Sequence, residues 1–448
     1  GRDVNVNAAI YTPLASVGIS AGQDLNFNSG ASVTIAGGAA YSATLNATRD
    51  IYIRSNVSVN SWLNSSAGRD YYINANLSNN GFSYSLYAGR DMQVNSALSN
   101  QGTLGLYAAR DLYINSNVTS IGAEVRLVGG NGTAWNSNAI SGAISIANTA
   151  RISYGTGLSI VSGRSQTISS LTAANSANTW RTDFDDVNVI WSGAATAGAA
   201  PSVNLWGFNT VTLNNPNGSG ATIRSNSLNV QAKTINVGAN LDTVNLELYG
   251  ASFADDNGNY KWWWNSAPNI GWMDTNGPVT IASGKSVAYT GNLRMMSGKT
   301  PGTNARSSLA TGSVLWSNTP GNGSYVVLDG FDTVTIDRPV GANLIGVSAQ
   351  QINVQADINM SSLVRLYAAS FDAGGSFNNF IGDYTGSNGS GWGTSNGWLY
   401  GNLQGTVDLG NHTLKGTSFD IRSGTVSGNS SLRLDFNGSQ LQAYQAPG

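Results

Sequence analysis

One short pattern recurs six times near the start of the chain: GRDVNVN at Gly1, GQDLNFN at Gly22, TRDIYIR at Thr48, GRDYYIN at Gly68, GRDMQVN at Gly89 and ARDLYIN at Ala109. Its aspartates are Asp3, Asp24, Asp50, Asp70, Asp91 and Asp111, so the copies lie 21, 26, 20, 21 and 20 residues apart. A near-constant period of this length is the signature of a solenoid, in which each repeat stacks on the last. Within a copy, two apolar residues flank one polar residue, as in Leu25 and Phe27, Ile51 and Ile53, or Leu112 and Ile114. That alternation describes a short strand with one face buried. The Asn that usually follows, as at Asn7, Asn28, Asn74, Asn95 and Asn115, suits a corner, because Asn tolerates the left-handed conformation and bonds its own backbone. A second apolar run, such as Leu86-Tyr87-Ala88, precedes the next motif. One period therefore predicts two or three short strands with their corners, which is one turn of a parallel β-helix.

Composition agrees with an all-β fold. Only 10% of the 448 residues are charged, 55 are Gly, and 41% are apolar, with 12 Trp, 18 Tyr and 11 Phe. That apolar share fills a long core and argues against disorder. The helix-favouring residues Glu and Lys are scarce: Glu124 and Glu247 are the two glutamates, and Lys occurs five times. The formal net charge is -2 with no run of like charges, which argues against nucleic acid as a partner, since phosphate neutralisation needs clustered Lys or Arg. With no Cys, the chain has no disulfide framework, no thiolate nucleophile and no Cys-ligated metal. It opens inside a GRD motif, which reads as a cut within a longer polypeptide or as an open end for end-to-end self-association.

Beyond about residue 112 a longer period takes over. INSNVTSIGAEVRLVGG at Ile114 matches INVGANLDTVNLELYGA at Ile235 and INVQADINMSSLVRLYAA at Ile352, with Leu127, Leu248 and Leu366 in correspondence. Each is followed by an excursion rich in Trp, Asn and Gly, and then by a return to strand patterns. The chain thus divides into a short-period shaft over 1–112 and larger modules of roughly 120 to 135 residues over 113–448, with lateral loops.

The GRD repeats, from Gly1 to Asn115, and more loosely the modules from Ile114 to Gly424, resemble the filamentous haemagglutinin family of two-partner-secretion exoproteins, large Gram-negative surface adhesins. The resemblance implies a shaft coiled as a right-handed parallel β-helix, export through an outer-membrane transporter, a cell-surface or secreted location, and a role in adhesion or biofilm. No stretch of this sequence matches the family's amino-terminal secretion domain or its NPNL-type signature, and Asn215-Pro216-Asn217-Gly218 reads as a turn in mid-module.

Few residues offer chemistry. Stacked aspartates ~4.8 Å apart repel by ~0.9 kcal/mol per pair in water, so the column Asp3, Asp24, Asp50, Asp70, Asp91 and Asp111 needs compensation. Arg2, Arg49, Arg69, Arg90 and Arg110, each one residue earlier, are placed to give it, with the carboxylates accepting backbone N–H bonds. Cation binding along the column is the alternative. His412 is the one histidine and reads as a strand or turn residue. The cluster Asp183, Asp185 and Asp186, with Asp255-Asp256 elsewhere, supplies the carboxylate pairs that a β-helix glycosidase or lyase would need, and reads as solvated loop acids. No catalytic residue, metal site or cofactor is assigned. The candidate ligand-binding residues are Trp262, Trp263, Trp264 and Trp272 in one excursion, and Trp392, Trp398 and Tyr400 in another. Flat rings among amides and hydroxyls hold sugars, which points to host or matrix glycans, although the same rings could pack the loops onto the shaft. The reading is a secreted structural or adhesive fibre, with a carbohydrate-active β-helix enzyme as the alternative.

Overall fold

The computed structural model describes residues 2–38, 40–80, 82–130, 143–162, 183–185, 189–191, 197–214, 222–250, 277–298, 300, 305–318, 324–368, 406–423, 425–427 and 433–445. These residues are almost entirely β, with one short 3-10 segment at Ala197–Ala199. The chain forms two compact units, one chiefly Gly1–Ser192 with Ala200–Asn209, the other chiefly Thr210–Asp255 with Lys261–Gly448.

In the first unit every turn adds one strand to each of three parallel sheets. The first turn runs Val4–Val6, Ile10–Thr12 and Val17–Ala21; the second runs Leu25–Phe27, Val33–Ile35 and Ser42–Ala47. The third is Ile51–Ile53, Val57–Val59 and Trp62–Ala67, and the fourth Tyr71–Ile73, Leu77–Asn79 and Tyr84–Ala88. Ladder order follows turn order, so the first two sheets hold seven strands each, ending at Ile144–Ile146 and Ile152–Ser153. The third sheet reaches Gly157–Ser162 and continues into Ser202–Leu213 through Gly157↔Ser202 to Val161↔Trp206. The same three ladders therefore run on past residue 112, where the sequence period lengthens.

Register is one-to-one, which places like on like. Leu25, Ile51, Tyr71, Met92 and Leu112 form one inward column, and Phe27, Ile53, Ile73, Val94 and Ile114 another. All of these are 0% exposed. Volume is traded between neighbouring turns. Where Tyr71 replaces a smaller residue, the third-sheet column Leu45, Ser65, Leu86 carries a serine, and its Oγ meets the Tyr71 hydroxyl at 2.9 Å and donates to the Leu45 carbonyl at 2.9 Å. Buried Asn79 and Asn100 hold the next corner: Asn79 Nδ2 donates to the carbonyls of Ser61 and Phe82, both at 2.9 Å, and Asn100 Nδ2 to those of Gly102 and Thr103.

The second unit uses the same logic with longer strands that run through corners. Thr222–Val237 pairs with Asn240–Gly250 and then, from Ile235 on, with Val279–Ile281. Tyr325–Ile336, Val340–Val354 and Ile358–Ala368 repeat this, with register shifts between Asp329 and Phe331 and between Ala342 and Leu344. Gly330 at the first shift has φ of 79°, and a Cβ there would lie 1.9 Å from the Ser297 carbonyl oxygen, so only glycine fits.

The small residue before each Arg-Asp pair has a steric basis where turns approach most closely. A Cβ on Gly89 would stand 2.2 Å from the Gly68 carbonyl oxygen. Gly89→Ala is expected to destabilise the first unit by about 1–3 kcal/mol through overpacking. Truncating the buried core residue Leu86 to Ala should cost about 2–5 kcal/mol. Urea unfolding followed by far-ultraviolet circular dichroism measures both.

Candidate functional site

Each motif aspartate sits just before a first-sheet strand, so one-to-one register stacks the six carboxylates in a column. Each Oδ1 accepts the backbone N–H one turn on: Asp3 from Asp24 at 3.1 Å, Asp24 from Asp50 at 3.2 Å, Asp50 from Asp70 at 3.1 Å, Asp70 and Asp91 from Asp91 and Asp111 at 3.3 Å, and Asp111 from Ala143 at 3.1 Å. The arginine of the following turn then grips the same carboxylate with two donors. Arg49 Nε reaches Asp24 Oδ1 at 2.7 Å, Arg69 reaches Asp50 at 2.8 Å, and Arg90 and Arg110 reach Asp70 and Asp91 at 2.7 Å, each with its Nη2 on the other oxygen. The same guanidinium lies 3.5–3.7 Å from the aspartate of its own turn. Cation and anion thus alternate along the column, which removes the repulsion of a bare aspartate stack.

The two ends of each pair differ in burial. The Asp50 side chain is 1% exposed and the Arg69 side chain 44%. Arg49 holds the Asp24 carboxyl below the ordinary range. At Asp50 burial favours the neutral acid, but the bonds from Arg69 and the Asp70 N–H outweigh it, and its pKa is also lowered. Tyr52, Tyr72 and Tyr113 point their hydroxyls at Asp50, Asp70 and Asp111 at 3.3–3.4 Å, and the Tyr52 and Tyr72 rings stack at 4.9 Å.

The second unit holds buried charged residues on the outward side of a sheet, Arg294, Asp329 and Asp420, with half-buried Glu247 and Arg365 among their neighbours, and none of them is among the sequence-derived candidates. Arg294 lies in register with Glu247 and donates to the Tyr249 hydroxyl at 3.2 Å, while the Tyr325 hydroxyl donates to Glu247 at 3.0 Å. Further along, Arg365 and Tyr367 meet Asp420. Asp329 is 7% exposed, and burial pushes its carboxyl up to about 7 against the pull of Ser348 and Arg306. Arg306 donates to the Gly330 carbonyl at 2.9 Å, and its own pKa is lowered by burial to about 10. Aligning the modules on Leu127, Leu248 and Leu366 puts Arg126, Glu247 and Arg365 one residue earlier, which was the available signal.

The remaining candidates divide by position. Asp183 is exposed and immediately precedes the two-residue strand Phe184–Asp185, whose Phe184 is buried against Phe208. His412 Nδ1 stands 3.8 Å from Asp357. Trp262, Trp263, Trp264, Trp272, Trp392, Trp398, Tyr400, Asp186, Asp255 and Asp256 lie outside the described residues. Among the described residues no three His, Asp or Glu side chains gather into a metal-binding set. A shallow cavity on the second sheet is lined by short neutral side chains, including Thr34, Asn56, Ser58, Asn76, Ser78 and Ser99.

Comparison of the chain with family models, with curated proteins and with solved structures gave no match.

Two opposite pH dependences follow. Asp24 and Asp50, with lowered pKa values, contribute stability that is present above the unfolded carboxylate pKa of ~3.9 and is lost as pH falls through their folded values. Asp50→Asn is therefore expected to lower stability at pH 7, with the gap to the parent protein closing in acid. Asp329, with a raised pKa, contributes stability that is complete below the unfolded value and falls as pH rises toward about 7. Asp329→Asn should remove that decline and stabilise the protein at neutral pH. Denaturation midpoints taken from pH 3 to pH 8 read out both.

Proposed function

We propose that this chain is a shaft segment of a secreted, cell-surface structural or adhesive fibre, coiled as a right-handed parallel β-helix. The observation that carries this reading is the ladder of alternating Asp and Arg. From Asp24 to Arg110 each carboxylate is committed to an arginine one turn away, and the charged groups of the column serve to join turns. A device repeated at every turn suits a load-carrying stack, whereas catalysis needs one distinctive place. Right-handed coiling is the sense that parallel crossover connections adopt almost without exception.

The resemblance of the GRD repeats to filamentous haemagglutinin-like exoproteins supports export through an outer-membrane transporter and a partner on a host cell or in a matrix. Adhesion is assigned to the Trp-rich segments around Trp263 and Trp398, where rings stand among Asn, Ser and Gly. No catalytic residue and no cofactor belongs to this reading.

A glycan array with the purified chain tests it. Binding is expected, and Trp263→Ala and Trp398→Ala should weaken it. Release of reducing ends or unsaturated sugars from polysaccharides incubated with the protein would overturn the structural reading in favour of an enzyme.

A further inference from the structure

A second aromatic feature stands on the solenoid itself. Trp62 opens the third-sheet strand of the third turn and is 50% exposed, the one Trp among the large exposed apolar residues described. Its indole stacks on the Phe82 ring of the fourth turn at 5.9 Å, with the planes 28° apart. On the preceding turn the residue in register with Trp62 is Ser42, which is exposed and too short to cover an indole. One ring face is thus packed, and the in-register neighbour on the other side carries a single hydroxymethyl group. Covering the exposed part of this ring would remove apolar surface from water, which favours binding.

The plate is fixed in place. Buried Asn79 donates to the carbonyls of Ser61 and Phe82, and so ties together the two corners from which Trp62 and Phe82 project. Rigid rings on a tied backbone lose little freedom on binding, which favours affinity.

The surroundings supply matching polar groups. Side chains alternate across the strand, so Asn64 shares the outward face with Trp62, roughly 6.6 Å along the same strand, and is exposed. Thr44 and Ser85 lie in register with Asn64 on the turns before and after, and Asn46, Ser66 and Tyr87 form the next outward row. No residue in these three rows of turns two to four carries a charge. A flat ring flanked by amides and hydroxyls on a neutral field complements a molecule that offers an apolar C–H face and a rim of hydroxyls, with no ionic group.

We propose that the outward face of the third sheet at turns two to four binds a neutral oligosaccharide, with Trp62 stacking on a sugar ring and Asn64 bonding its hydroxyls. None of its residues belongs to the Trp-rich segments, and it does not depend on their role.

An array carrying neutral and anionic oligosaccharides, probed with the full chain bearing both Trp263→Ala and Trp398→Ala, should still give binding to neutral members. Titration calorimetry with the strongest neutral binder should then show about tenfold weaker affinity for Trp62→Ala, a smaller loss for Trp62→Phe, and several-fold weakening for Asn64→Ala. Trp263→Ala and Trp398→Ala should leave that affinity unchanged, and the thermal midpoints of Trp62→Phe and Asn64→Ala should match the parent. Binding that is confined to anionic sugars, or that survives Trp62→Ala and Asn64→Ala, overturns the proposal. If Trp263→Ala or Trp398→Ala abolishes binding and Trp62→Ala does not, this site fails while adhesion by the Trp-rich segments stands.

Discussion

Parallel pairing in register, at the ~4.8 Å spacing of adjacent strands, governs everything else in this chain. Each residue meets its counterpart one turn on, so any choice made at one position is multiplied down a column. Apolar residues gain from this, because columns such as Leu25, Ile51, Tyr71, Met92 and Leu112 form a continuous dry core. Amides gain too: Asn28 donates to Asn7, Asn95 to Asn74 and Asn115 to Asn95, at 2.7–2.8 Å. Like charges lose, and this is the physical reason that only 10% of the residues are charged.

The Asp column is how the chain keeps one set of ions despite that rule. By placing Arg one residue before Asp, the sequence sets each guanidinium between two carboxylates, one on its own turn and one on the turn before. The backbone N–H that each Asp accepts also comes from the next turn, so each motif joins two turns through three donors at once. Chemistry of this kind makes a scaffold. The places where the chain departs from self-repetition, such as Trp62 and the Trp-rich segments, are where binding is best sought.

The turns of the first unit were legible because their signal is local. Period, alternation and corner Asn all fall within about seven residues of one another, and the Asp and Arg positions that pair across turns are the same ones that define the motif. That three sheets, rather than two, make a turn was left open, since Val57–Val59 and Leu77–Asn79 are too short for alternation to distinguish from corners. The cluster of buried Arg294 and Tyr249 with half-buried Glu247 and Tyr325 was not legible, because its members lie up to 78 residues apart and meet only through register across turns. Asp329 was missed for the same reason: a lone aspartate in VVLDGF reads as solvated until the sheet beneath it is built. The exposure of Trp62 is not legible from the sequence, because the adjacent Leu63 is equally apolar and alternation alone does not say which of the two faces the core.

The central claim is that successive turns stack in register at intervals of about twenty residues. Cross-linking tests it most directly, since the chain has no Cys of its own and any disulfide formed belongs to the introduced pair. Adjacent parallel strands bring in-register Cα atoms within the ~4.4–6.8 Å that a disulfide spans, and strands two turns apart lie beyond it. With cysteines introduced as Asn95→Cys and Asn115→Cys, the account expects rapid oxidation to an intramolecular disulfide. The pair Asn74→Cys and Asn115→Cys, two turns apart, should stay reduced under the same conditions. Equal oxidation of both pairs, or oxidation of the distant pair alone, would contradict the stack.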